Sequence, residues 1–149
     1  MIWGGFSYVG KLPLAWISTK TKACDYIEML EISLVEYGEE LMGENFVFQQ
    51  DNASIHAAKV TKCWLQERNI DVLEWPAVSP DLNPIENLWG ILARQVYRGG
   101  RQFKNSLELK NRIRGAWQEI SIETLQNLIN SMPKRMFDVV LNKGKQTKY

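Results

Sequence analysis

Two acidic residues of this chain stand where chemistry could be built. Asp51 closes the segment Phe48-Gln49-Gln50-Asp51-Asn52-Ala53, with His56 shortly after it. Glu86 lies within Ser79-Pro80-Asp81-Leu82-Asn83-Pro84-Ile85-Glu86-Asn87-Leu88-Trp89. Asp51 follows Asn45–Gln50, which reads as a strand, and open α/β sheets place their active sites at the carboxyl ends of strands. A carboxylate there suits Mg²⁺, which takes one or two carboxylates together with substrate phosphates. The competing reading is a strand-ending Asp in an Asx turn. Glu86 also has two readings. Asn83 at N-cap, Pro84 at the first helical position and Glu86 at the third form a capping-box arrangement. A carboxylate in a first turn can also face the end of a neighbouring strand, and one carboxylate cannot fill both roles fully.

The elements that must position these acids follow from periodicity and punctuation. Ile2–Ser7 and Leu12–Ile17 read as strands of a hairpin around Tyr8-Val9-Gly10-Lys11. Thr21 is placed to cap a helix over Ala23–Tyr37, with Ile27, Leu30, Leu34 and Tyr37 inward. After Asp51 a helix is predicted over Ala57–Arg68, with His56 at its start and Val60, Cys63 and Trp64 inward, then a strand over Ile70–Glu74. Trp75–Asn83 is a loop in which Trp75 is the best candidate for an exposed aromatic. A helix follows from Pro84 to about Tyr97, carrying Ile85, Leu88, Trp89, Leu92 and Val96 on one face. Gly99-Gly100 ends it. Helices over Leu107–Ile120, Ile122–Ser131 and Pro133–Leu141 complete the chain, with Ser106, Ser121 and Ser131 as suitable N-caps. Asn52 and Asn83 fit turn chemistry, and Trp64, Trp89 and Trp117 sit at core spacing.

At 149 residues, 45% hydrophobic and 23% charged, the chain reads as one α/β domain, with 1–98 as its core and 99–149 as a helical part. No apolar run is long enough for a transmembrane helix, so no membrane partner is expected. Cys24 and Cys63 match no zinc or redox spacing, and the single His excludes a histidine-rich metal site. The net charge of +1 is unevenly spread. Arg94 to Arg114 holds seven basic residues against Glu108, a net of +6, and Lys134 to Tyr149 holds five against Asp138, a net of +4, which leaves −9 for the remainder. Acidic residues near the candidate site, followed by a basic surface, suit metal carboxylates beside a phosphate backbone. Solvated helix faces would give the same pattern.

Several segments together resemble the Tc/mariner superfamily of DNA transposases. They are Trp3-Gly4-Gly5-Phe6-Ser7, Gln49–Ala53 with His56, Ser79–Trp89, and Ser131-Met132-Pro133-Lys134-Arg135. The resemblance runs from residue 3 to Tyr149, and Gly144 with Thr147-Lys148-Tyr149 looks like that family's C-terminus. It implies a ribonuclease-H-like mixed sheet with flanking helices and a helical C-terminal segment. It also implies DNA cleavage and strand transfer by three carboxylates with Mg²⁺ or Mn²⁺, DNA as partner, and a nuclear location. Asp51 matches the second carboxylate and Glu86 the third, with thirty-four residues between them. A Glu at the third position resembles the Tc branch. Arg98, Arg101, Lys104, Lys134 and Arg135 are the candidate DNA contacts.

The family's first Asp ends a strand that precedes the Trp-Gly strand, whereas this sequence starts with Met1 at the Trp-Gly strand itself. Asp25, its first acidic residue, lies on a predicted helix and does not map onto that position. From the resemblance, the sheet is expected to lack its first, central strand, and residues 2–7 are expected to pair directly with 46–50. Weak binding of one metal, self-association, and no cleavage by this chain alone are expected with it. The alternatives are a relic that holds DNA non-specifically and an incomplete gene model of an active transposase.

Overall fold

The computed structural model describes residues 1–43, 45–76 and 79–144. Contacts divide the chain into two compact units, Met1–Gly5 with Lys11–Val78, and Phe6–Gly10 with Ser79–Tyr149. Among the described residues no helix is long and apolar enough to cross a membrane. The Thr147-Lys148-Tyr149 resemblance lies outside the described residues.

In the first unit, β1 (Ile2–Trp3) pairs antiparallel with β2 (Ala15–Trp16), Ile2 opposite Trp16. The helix α1 (Ala23–Leu30) continues through a π-helical turn, Glu31–Glu36, into α2 (Tyr37–Met42). Next come β3 (Val47–Phe48), α3 (Lys59–Glu67) and β4 (Asp71–Val72). β3 and β4 pair in parallel, Val47 opposite Asp71, and α3 makes the crossover that parallel strands require. Leu12, Tyr26, Leu30 and Leu34 form a buried cluster, against which Trp3, Phe46, Phe48, Ile55, Trp64 and others pack.

Several expectations need correction here. Residues 2–7 do not pair with 46–50: the described strands form two separate two-stranded sheets. Trp3, Phe46 and Phe48 meet through their side chains, in the cluster around Tyr26 and Leu30, and not through a shared backbone ladder. The inward face of the first helix is Tyr26, Leu30, Ser33, Leu34 and Gly38, while Tyr37 is exposed. The π-helical turn lengthens one turn of the spiral, so the inward position after Leu34 moves on to Gly38. There the missing side chain matters, since a Cβ would lie 3.3 Å from Met42 Cε and 3.7 Å from Phe46 Cε1. The first helix takes Lys22 as its N-cap in place of Thr21, and Lys22 N donates to Asp25 Oδ2 at 2.8 Å. In α3 the buried residues are Thr61 and Leu65, and Val60 is exposed.

In the second unit a 3₁₀ turn, Pro80–Leu82, leads to α4 (Pro84–Val96), whose Leu88, Leu92 and Val96 are buried as their spacing predicts. A 3₁₀ segment, Arg98–Gly100, follows, with Gly99 at φ 73° and Gly100 at φ 71°, a left-handed region open to glycine. The helices α5 (Ser106–Glu119), α6 (Ile122–Asn130) and α7 (Met132–Leu141) finish the unit. The α4 helix packs on α5 and α6, α7 packs on α6 and on the 3₁₀ turn, and Trp89 stacks on Trp117 with ring centroids 5.5 Å apart. Asn105, not Ser106, caps α5, accepting from Glu108 N, and Ser121 caps α6 as expected. Ser131 occupies the N-cap position of α7 but makes no cap bond; its hydroxyl donates to Leu128 O at 2.6 Å and accepts from Arg135 Nε at 2.9 Å.

Candidate active site

β3 delivers its chain end to a short turn, and the turn folds around Asp51. Asp51 Oδ1 accepts from Ala53 N at 3.0 Å, so the Asx turn does form. The same oxygen lies 2.6 Å from His56 Nδ1. Both bonds fall on one oxygen. Oδ2 takes no bond from a described residue, and the Asp51 side chain is 55% exposed. His56 does not start α3, which begins at Lys59. It sits in a separate turn closed by His56 N to Ala53 O at 2.9 Å. Its ring lies on Tyr26, centroids 4.6 Å apart at 31°. Tyr26 is fully buried, and its hydroxyl donates to Gln50 Oε1 at 2.9 Å. Burial pushes the Tyr26 hydroxyl well above the ordinary phenol range, so it stays protonated and available as a donor. Asn52 Nδ2 donates to Trp75 O at 2.9 Å, which ties the Asp51 turn to the segment after β4. Trp75 itself is half-buried.

Glu86 sits in the first turn of α4, exposed. The capping arrangement is present in sequence position but not in bonding. Asn83 is the N-cap and makes no side-chain cap bond, and the Glu86 carboxylate accepts no bond from a described residue. The structural role that would explain Glu86 without chemistry is therefore not exercised. What fixes the turn is Arg135. It is 2% exposed, and its Nη1 donates to Asp81 O at 2.8 Å and to Asn87 Oδ1 at 2.6 Å, while Nε donates to Ser131 Oγ at 2.9 Å. The expectation that Arg135 contacts DNA is thus corrected, since its guanidinium is buried and engaged inside the unit. Lys134, one residue earlier, is exposed, as are Arg98 and Lys104. Arg101 is exposed, lies 3.7 Å from Glu108 and rests over the Phe103 ring at 5.4 Å.

Among the described residues no group of three or more His, Cys, Asp and Glu side chains is placed to hold a metal ion. Each acid, taken by itself, has the donor chemistry for a divalent cation, since each keeps at least one carboxylate oxygen not engaged by a described residue, and hard divalent cations take oxygen ligands.

The sequence of residues 1–110 matches the family model described as DDE superfamily endonuclease. The chain belongs to the DDE superfamily endonucleases. Over all 149 residues it is 40% identical to the Tc3 transposase of Caenorhabditis elegans, covering 45% of that protein. It is 38% identical to the Tcb2 transposase of Caenorhabditis briggsae and 36% identical to the Tc1 transposase of Caenorhabditis elegans, covering 54% of each. This DDE chain therefore spans about half the length of the curated relatives it matches. Its fold is that of the catalytic domain of Mos1 mariner transposase, with a TM-score of 0.82 and 22% identity, over 99% of this chain and 74% of that one. A structure of the same Mos1 domain with Raltegravir and Mn matches with a TM-score of 0.83 at 21% identity, over 99% of this chain and 76% of that one. The ribonuclease-H-like α/β fold expected from the DDE resemblance is the fold found.

His56 and Arg135 are the residues whose roles the motifs did not reveal. The lone His five positions after Asp51 was the only signal for the first. For the second there was none, because a buried arginine and a solvated one look alike in a basic segment.

Proposed function

We propose that the chain supplies the second and third metal-binding acids, Asp51 and Glu86, of a Tc-type transposase that cleaves and joins DNA. The observation that carries this is the state of the two carboxylates. Each stands at an element end, one after a strand and one in a helix's first turn, with oxygen not engaged by a described residue. Support comes from relatives that are transposases, and from solved Mos1 structures that include Mn, Mg, a strand transfer complex and a paired end complex. Bound Mg²⁺ or Mn²⁺ would stabilise the attacking and leaving oxygens of an in-line displacement at phosphorus. The chain's own part is to orient the acids, while exposed Arg98, Arg101, Lys104 and Lys134 face phosphate. A nuclear location and self-association belong to the same proposal.

The motifs assign two acids, Asp51 and Glu86, where the chemistry uses three, and the proposal is that residues 1–149 by themselves do not cleave DNA. Incubation of the purified chain with a transposon-end duplex in Mn²⁺ is expected to give neither nicks nor joined products. Strand transfer by the wild-type chain that Asp51→Asn abolishes would overturn the claim of inactivity. Saturable Mn²⁺ binding that neither Asp51→Asn nor Glu86→Gln weakens would overturn the assignment of the acids.

A further inference from the structure

An exposed carboxylate ordinarily samples several rotamers, and ordering it costs side-chain entropy. Asp51 is 55% exposed, yet one of its oxygens is held from two sides. The holder that matters is itself held. The His56 side chain is only 18% exposed, its ring lies against Tyr26, and its backbone is closed into the turn at Ala53. Tyr26 is fully buried and bonded to Gln50, the residue immediately before Asp51. A path of contacts thus runs from the hydrophobic cluster through Tyr26 and His56 to the Asp51 carboxylate, and a second branch reaches the side chain of the preceding residue, Gln50. An ionised carboxylate only accepts, so a hydrogen bond here requires a His56 ring protonated on Nδ1.

We infer that His56 is a positioning residue for Asp51, fixing Oδ1 so that Oδ2 is presented to a divalent cation; this rests on Asp51 being a metal ligand. Groups that hydrogen-bond to a ligating carboxylate set its orientation, and losing such a partner typically costs about 10–100-fold in metal affinity. A packing role alone would make His56 matter for stability and leave metal affinity unchanged.

The test titrates the 149-residue chain with Mn²⁺, reading free ion by electron paramagnetic resonance, for wild type, Asp51→Asn, His56→Ala and His56→Asn. Asp51→Asn is expected to abolish saturable binding, and His56→Ala to weaken it about 10–100-fold. His56→Asn, whose amide can donate from near the Nδ1 position, is expected to restore most of the loss. In ¹⁵N spectra of the wild-type imidazole, Nδ1 is expected to carry a proton. Unchanged Mn²⁺ affinity in His56→Ala alongside its loss in Asp51→Asn would overturn the positioning role and spare the reading of Asp51. A bare Nδ1 would do the same, as would His56→Asn failing as badly as His56→Ala. If wild type shows no saturable binding, or if Asp51→Asn leaves it intact, the reading of Asp51 falls and the positioning role with it.

Discussion

The two acids are held in opposite ways. At Asp51 the protein controls the side chain, through a hydrogen bond to one oxygen from a ring braced on the core. At Glu86 it controls the backbone and leaves the side chain alone. The first turn of α4 is pinned by Arg135 through Asn87 and the Asp81 carbonyl, and the Glu86 carboxylate takes no bond from a described residue. A strand end followed by a turn has little intrinsic rigidity, so its carboxylate needs a dedicated partner. A helix's first turn already fixes the Cα–Cβ direction, and it then suffices to hold the helix. The difference is a lesson in where to look for positioning residues, which lie beside the side chain in one case and behind the backbone in the other.

The comparison is tested most severely at Arg135. Replacing it with Ala would leave the Asp81 carbonyl and Asn87 Oδ1 without this donor and open a cavity beneath α7. Each buried unsatisfied group costs about 1–3 kcal/mol, so a loss of about 3 kcal/mol or more is expected. Arg135→Lys should recover little, because one ammonium cannot reproduce the planar fork of donors. Lys134→Ala, the neighbouring exposed position, should stay within about 0.5 kcal/mol of wild type. Urea unfolding of the three variants measures this. Equal effects at 134 and 135 would remove the basis for treating Arg135 as the anchor of the Glu86 turn.

The sequence carried the placement of both acids for a local reason. An apolar run before Asp51 and the Asn83-Pro84 start before Glu86 are punctuation set by neighbouring residues, and the buried Leu88, Leu92 and Val96 of α4 follow its periodicity. Properties that depend on distant partners were not legible. The strands span two residues each, because ladder length depends on partners the local pattern does not name. The phase of the first helix slipped at a π-helical turn that leaves no mark in composition. Arg135 sits in a stretch of net positive charge, where only the fold distinguishes a buried strut from a solvated side chain. Periodicity places His56 at the start of a helix, whereas its bond to Asp51 spans a turn whose closure the sequence does not dictate.

The same adjacent pair sharpens the comparison in solution with DNA. The chain is expected to bind duplexes weakly and without sequence preference, with affinity falling steeply with salt as counterions are released. Lys134→Ala should lower affinity uniformly on two unrelated duplexes and reduce the salt slope by about 1. Arg135 variants that remain folded should leave the slope unchanged, as their guanidinium does not reach solvent. A salt titration by fluorescence anisotropy reads both. A clear preference for one duplex at physiological salt would count against phosphate-only contact, and so would an Arg135 variant with a reduced slope.

The smallest effect is expected at the second arginine strut of the same unit, which is partly exposed where Arg135 is buried. Arg112 Nη2 donates to Gln95 O at 3.0 Å, joining α5 to the end of α4, and its Nη1 donates to Glu119 Oε1 at 2.9 Å. The hydrogen bonding from Arg112 holds the Glu119 carboxyl below its ordinary value of 4.5. A carboxyl with a lowered folded value contributes stability that is present above its unfolded value and lost as pH falls through the folded one. Wild type should therefore melt slightly above Glu119→Gln at pH 7, and the gap should close as pH falls below 4.5. Water screens the pair, since the Glu119 side chain is 57% exposed, so the gap should also shrink in high salt. The Arg135 deficit should respond less to salt, because its guanidinium is buried and its acceptors include a carbonyl, an amide oxygen and a hydroxyl. Thermal melts of the two variants across pH and salt separate the cases. A Glu119→Gln gap that persists at pH 3 in high salt would mean that the surface pair acts through packing, as the buried strut does, and not through charge.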